Sequence, residues 1–203
     1  MDAAAEIASE RGYEGASIAL VSERSGLPAS SIYWHFEDKD KLVAAVIERS
    51  FNRWLDGMGA WVLPKRGVTR QERFTIALRR TAKALEEAPD FLRLGLMLAL
   101  ERRPKEASAR KLFLQVREEA YRRTVESYAA FFEGQLDKAG VCALATLTMA
   151  AADGLFIAHE IDHDDVNFEA AFEVLAAALL GAGEHLRSRI DRSRNGKHRK
   201  INS

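Results

Sequence analysis

Residues 17–42 read SIALVSERSGLPASSIYWHFEDKDKL. Ser17 stands just before Ile18, Ala19 and Val21 and has the side chain to cap a short helix, which Gly26 then ends. Pro28 suits the first turn of another short helix, spanning Ala29 to about His35. Ile32 and Phe36, four apart, turn inward and anchor that helix. Asp38 caps a longer helix in which Leu42, Val43, Val46, Ile47 and Trp54 recur at helical spacing, running to about Trp61. Two short helices across a tight turn have the dimensions of a helix-turn-helix. Such a motif lays its second helix in the major groove of DNA, with residues near the helix start on base edges. Here that start is Ala29, Ser30 and Ser31, small enough for close approach, followed by Tyr33, Trp34 and His35.

Working outward, the same periodicity continues. Residues 2–11 form a helix with Ala4, Ile7 and Ala8 on one face, stopped by Gly12. Past Pro64, helices are expected over 69–87, 90–101 and 105–138; Gly140 breaks the chain, and helices over 141–162 and 167–188 flank the acidic loop DHDDV. Pro28, Pro64, Pro89 and Pro104 punctuate these runs, and no internal repeat is visible. The fold class is all-α, with about nine helices. The expected division is a DNA-binding domain over 1–54, a larger body over 55–188, and a tail over 189–203.

The composition bounds the function. In 203 residues, 30 Lys+Arg balance 30 Asp+Glu, and 47% hydrophobic content is enough for a core. Cys142, the single cysteine, allows no internal disulfide and fits a reducing cytoplasm. The start MDAAAEIASERG lacks signal-peptide character, and no stretch reaches about 18 unbroken apolar residues. A soluble cytoplasmic protein with no membrane partner is expected. Charge is uneven: residues 1–56 hold 6 bases and 10 acids (−4), residues 57–186 hold 17 and 19 (−2), and residues 187–203 hold 7 and 1 (+6). The basic tail, nearly free of apolar residues after Ile190, is expected to be mobile and solvated.

The run IYWHFEDKDKL resembles the tetracycline-repressor family of bacterial transcription regulators. That family carries a tyrosine, one variable residue, a histidine and a phenylalanine, then a lysine opening the fourth helix and a leucine soon after. The resemblance covers residues 2–54. It implies that Tyr33, Lys39 and Ser17 hold DNA phosphates, while Ala29, Ser30, Ser31 and Trp34 face bases and His35 reaches backbone or base. Phosphate contacts then set affinity, and Ser30, Ser31 and Trp34 set sequence preference. Two departures stand out. Residue 19 is Ala, where some members place a longer polar contact, and the unit is acidic where a DNA reader is expected to be basic. Family members also begin with a basic segment, so a start further upstream or a lost basic arm is implied.

The family's body dimerises and holds a small ligand. The resemblance therefore implies a homodimer on a palindromic double-stranded DNA operator, with Leu147, Ala151, Gly154 and Ala158 of one helix and Phe172, Leu175, Leu179 and Gly183 of the next forming the pairing faces. Phe113, Ala120, Thr124, Ser127 and Phe131 recur along the long helix, and Phe74, Phe91, Leu94 and Met97 offer opposing walls. These suit a bulky, largely apolar effector, though the same residues also suit an ordinary core. The helix between Pro89 and Pro104 is the expected lever linking ligand to DNA, and repression by steric blocking is the default.

A rival reading starts from His159-Glu160-Ile161-Asp162-His163, which matches the H-E-x-x-H zinc-hydrolase pattern in form. Its third ligand would have to be Glu169, Glu173 or Glu184, none at a diagnostic position, and Asp162 puts a charge inside the pattern. Solvated charges closing a helix are the plainer account. No phosphate loop, nucleophile elbow or strand–helix alternation is present in the sequence, so no catalytic residue, resident metal or cofactor is expected. A helical protein-binding adaptor is the third alternative.

Overall fold

The structure is a computed structural model that describes residues 1–58, 67–101, 107–162 and 166–201, with backbone alone for 191 and 193–201. The described residues form nine helices and no strand: α1 (Asp2–Gly15), α2 (Ile18–Ser25), α3 (Ala29–His35), α4 (Lys39–Met58), α5 (Arg70–Glu87), α6 (Asp90–Leu100), α7 (Ser108–Phe131), α8 (Lys138–Ile161) and α9 (Phe168–Ile201). The all-α expectation holds. Trp61, Pro64, Pro104 and His163 lie outside the described residues.

The chain divides into two compact units. One comprises Met1–Gly57 with Ala84–Glu119, the other Met58–Lys83 with Ala120–Ser203. The expected boundary after residue 54 foresaw neither the return of 84–119 to the first unit nor a discontinuous second unit.

In the first unit, Ala4, Ile7 and Ala8 of α1 are buried, as are Leu42, Val43, Val46, Ile47, Phe51 and Trp54 of α4. Helix α6 packs on α1. Gly12 interrupts α1 as expected: its backbone is non-helical (φ 68°, ψ 178°), and a further short helical stretch follows to Gly15. A β-carbon at Gly12 would meet Met97 Cε at 3.0 Å, so the missing side chain serves both the kink and the packing. Ser50, buried on α4, donates to the carbonyl of Ala88 (3.1 Å) and accepts from the amide of Phe91 (3.1 Å). One hydroxyl thereby ties α4 to the α5–α6 junction. Phe51, Trp54 and Phe91 stack beside it, with centroids 5.2–5.6 Å apart. Gly95 lets α6 and α7 close, since a β-carbon there would fall 1.9 Å from the Phe113 ring.

In the second unit, Phe74, Tyr128, Phe131 and Phe132 form an aromatic cluster. The buried Tyr128 hydroxyl shares a 2.8 Å bond with Thr148. Burial pushes the Tyr128 phenol well above its ordinary value, so it stays neutral. Helix α7 ends at Phe131, short of the expected 138, because the chain turns at Gly134 (φ 71°). Gly140 is no break. Asp137 caps α8 by accepting the Gly140 amide at 2.8 Å, and Gly140 is the buried third residue of that helix. Helix α9 runs past the expected end at 188 to Ile201.

Helices α8 and α9 pack together, burying Val141, Leu144, Ala145 and Phe156 of one and Phe168, Phe172, Leu175, Ala176 and Leu179 of the other. By length and composition α8 is apolar enough to cross a membrane (mean hydropathy 1.8), although no unbroken apolar run predicts this. Only 28% of that window is buried, so much of its apolar surface faces outward.

Candidate nucleic-acid interface

The local chemistry of α2 and α3 follows the expected caps. Ser17 is extended (φ −145°, ψ 154°) and its Oγ accepts the Leu20 amide at 3.2 Å. Gly26 closes α2 in the left-handed conformation (φ 70°), which a β-carbon would resist. The turn is then stitched by side chains: Ser22 Oγ donates to the Leu27 carbonyl at 2.6 Å, and the Leu27 amide donates to Ser25 Oγ at 3.3 Å. Helix α3 begins after Pro28, whose carbonyl accepts the amides of Ser31 (2.9 Å) and Ile32 (3.3 Å). Helix α2 packs on both α1 and α3.

This frame sorts the side chains of α3. Ile32 is buried and Phe36 half-buried, so they anchor the helix. Ser30, Ser31, Tyr33, Trp34 and His35 are exposed, and Ala29 is half-buried. Trp34 is 82% exposed and meets His35 edge-on, at a centroid distance of 4.8 Å. An exposed tryptophan on a seven-residue helix contributes little to a core. The group presents hydroxyls, an imidazole and an indole in one place, the mixture that meets bases and phosphates.

Ser17 and Lys39 are both near this face in sequence, and both are engaged. Ser17 Oγ is occupied as an acceptor but keeps its proton to donate. Lys39 lies with its ammonium 4.5 Å from the centroid of the Tyr13 ring and 3.4 Å from Glu14 Oε2. Asp38 Oδ1 accepts the Lys41 amide at 2.8 Å, the expected cap of α4.

Next to Lys39 is a residue the sequence did not single out. Asp40 accepts the Tyr13 hydroxyl (3.1 Å) and the amides of Ser108 (2.5 Å) and Ala109 (3.1 Å). A carboxylate on α4 thus caps α7, which follows it by almost 70 residues. Burial alone would raise the Asp40 carboxyl, but these hydrogen bonds outweigh it and hold it below the ordinary value. The only hint in the sequence is an acid in the first turn of α4.

The other expected sites are scattered. Phe91, Leu94 and Phe113 are buried in the first unit, with Met97 half exposed. Phe74, Ala120, Thr124, Ser127 and Phe131 belong to the second unit, where Phe74 and Ala120 are core and Thr124 bonds back to the Ala120 carbonyl. On α8, Leu147 and Gly154 are exposed, and Ala151 and Ala158 half-buried. On α9, Phe172, Leu175, Leu179 and Gly183 are buried within the unit, with Gly183 against Phe132. These four cannot form an outer pairing face. The outward residues of α9 include Val174, Ala177, Ala178 and Gly181.

Of the H-E-x-x-H pattern, His163 lies outside the described residues; helix α8 ends at Ile161 with Asp162 as its C-cap. His159 stacks on Phe168 (5.2 Å) and its Nδ1 lies 3.3 Å from the Val166 carbonyl. Glu169 and Glu173 both pair with Arg79, at 3.1 Å. Among the described residues no three His, Cys, Asp or Glu side chains gather as a metal site.

Comparison with known proteins accords with this geometry. Residues 1–46 match the model of the bacterial regulatory proteins of the tetR family. No curated protein sequence matches the chain. Among solved structures, the MbdR regulator from Azoarcus sp. CIB is similar at a TM-score of 0.71 and 19% identity, covering 89% of this chain and 95% of that one. The fatty acid degradation regulator FadR from Bacillus halodurans is similar at 0.69 and 16%, over 88% and 91%. FadR from Bacillus subtilis, solved with stearoyl-CoA, gives 0.65 and 15%, over 89% and 96%. The resemblance carried by Tyr33, His35, Phe36, Lys39 and Leu42 is thus met by the tetR-family model over residues 1–46, and the chain shares its fold with solved TetR-like regulators.

Proposed function

We propose that the chain is a cytoplasmic, homodimeric repressor that binds a palindromic operator through α3 and is released by a largely apolar effector. It is a regulator and not an enzyme. The observation that carries this reading is α3 itself, with Ile32 buried and Ser30, Ser31, Tyr33, Trp34 and His35 exposed. Residues 1–54 are the reading domain, 55–188 the dimerising and ligand-binding body, and 189–203 a basic extension. Tyr33, Ser17 and Lys39 hold phosphates. Ala29, Ser30, Ser31 and Trp34 choose the sequence, and His35 reaches backbone or base.

The dimer is supported by the outward face of α8, where Leu147, Ala150, Gly154, Ile157 and Ile161 form an apolar stripe. Gly154 and Gly181 have open space where a β-carbon would be, yet each costs a helix interior about 1 kcal/mol relative to Ala. Small residues are favoured there when a second helix comes close, and a second copy hides that surface from water better than a lipid bilayer, given the Asp153 and Glu160 charges on the same helix. Two copies also place two α3 helices on two half-sites.

For the effector, stearoyl-CoA bound to FadR of Bacillus subtilis suggests a long-chain acyl thioester as first probe. An effector acts by preferring the body conformation that fits DNA less well. The test is selection of bound duplexes from a random pool by the purified protein at two salt concentrations. A palindromic motif, weakened by Ser31→Ala or Tyr33→Phe and released by stearoyl-CoA, is expected. Selection that enriches no motif overturns the operator reading and favours the protein-binding adaptor.

A further inference from the structure

The first 56 residues are acidic where a DNA reader is expected to be basic, and the fold shows where that acidity is spent. Asp2, Glu6, Glu10 and Glu14 recur every four residues along α1, bent at Gly12. At 1.5 Å per residue they are about 6 Å apart along the axis. Each faces a base from α2 or α4. Asp2 pairs with Arg49 at 2.8 Å; Glu6 and Glu10 pair with Arg24 at 3.2 and 3.1 Å; Glu14 pairs with Lys39 at 3.4 Å. Arg24 holds the Glu10 carboxyl below its ordinary value, and Arg49 does the same to Asp2.

Lys39 differs from the other two bases because its ammonium is the phosphate ligand in the function proposed above. Its side chain is 27% exposed against 68% for Glu14, and it is held between the Tyr13 ring and the carboxylate. An arriving phosphate must displace Glu14 or sit beside its charge. Resting on that DNA-binding reading, we propose that Glu14 is an internal competitor for the operator phosphate, so that this last carboxylate of the α1 stripe tunes both operator affinity and its salt dependence. When the pair opens, the Glu14 carboxylate loses one cationic neighbour, and any counterion it takes up offsets part of what the DNA releases, so the salt slope is shallower than the count of phosphate contacts.

The probe is a short random-sequence duplex alongside the selected operator, followed by fluorescence anisotropy across a salt series. Glu14→Gln is expected to bind both duplexes about two- to fivefold more tightly, the scale of an exposed ion pair. Its slope of log affinity against log salt is expected to steepen by up to about one. In a Lys39→Gln background the same change is expected to give no gain, because the competitor has nothing left to compete for. An unchanged affinity and slope for Glu14→Gln overturns the proposal, and so does an equal gain in both backgrounds, which would mark a bulk charge effect. Matching melting temperatures for the variants confirm that each is folded. If the wild-type chain binds neither duplex at low salt, the DNA-binding reading itself falls and takes this one with it.

Discussion

Gly95→Ala adds one methyl group and should cost the protein a sizeable part of its stability for so small a change. The new β-carbon would lie 1.9 Å from Phe113 Cδ2, 2.2 Å from Cε2 and 2.5 Å from Cγ. A contact with three ring atoms, one of them the root of the ring, is not relieved by swinging a flexible tip, so Phe113 or α6 must move. Both residues are buried, Phe113 to 1% exposure, and have little room. Overpacking of this kind costs about 1–3 kcal/mol, and the severity of the overlap argues for the upper end. Replacing Gly by Ala in a helix returns about 1 kcal/mol. The net loss is then about 2 kcal/mol, or roughly 4–8 °C in melting temperature for a chain of this size. Urea and thermal melts followed by circular dichroism measure it. The Gly95→Ala/Phe113→Ala double variant tests the cause: with the ring and its Cγ gone, the alanine should cost about 3 kcal/mol less there than beside Phe113. A neutral or stabilising Gly95→Ala, or an equal cost in both backgrounds, would refute the close approach of α6 and α7 at this point.

Three further outcomes are expected. Because hydrogen bonds hold the folded Asp40 carboxyl below its ordinary 3.8, its contribution is present above that value and is lost as pH falls through the lower folded value; Asp40→Asn should flatten the acid limb of stability against pH in melts from pH 6 to 2.5. Ser17→Ala removes the acceptor for the Leu20 amide and should cost about 1 kcal/mol by urea melt, with weaker DNA binding to follow. Val174→Arg and Ile157→Arg, on exposed sites, should leave a folded monomer by analytical ultracentrifugation, whereas Phe172→Arg, at a site with 0% exposure, should unfold the chain; a dimer that survives both exposed changes places the pairing face elsewhere.

Local signals carried far in this sequence. Ser17, Gly26 and Asp38 bound their helices as their side chains dictate, and Ile32 against Trp34 divides α3 into an inner and an outer face. One glycine misled because glycine permits a break without requiring one: Gly140 is held inside α8 by the Asp137 cap, whereas Gly12 does interrupt its helix. The faces of α9 were ambiguous for a different reason. In FEAAFEVLAAALLGAGEHL apolar residues lie all round the helix, so periodicity does not say whether Leu175 or Val174 is inside. Interactions between distant segments left no local trace. Nothing near Asp40 announces that it caps a helix starting at Ser108, and Glu14 meets Lys39 only because α1 bends at Gly12 and α4 starts beside it.

The order of the segments has a consequence for inheritance. The chain passes between its two compact units at three points, after Gly57, after Lys83 and after Glu119, so neither unit is a continuous stretch of gene. A recombination that carried residues 1–57 to a new body would leave behind Ala88, the carbonyl partner of Ser50, and with it Phe91, Ser108 and Ala109. The reading helices would arrive with their own caps intact but with Ser50 and Asp40 facing empty solvent or a stranger's backbone. A chain built this way is expected to diversify by substitution throughout, and much less by exchange of its parts.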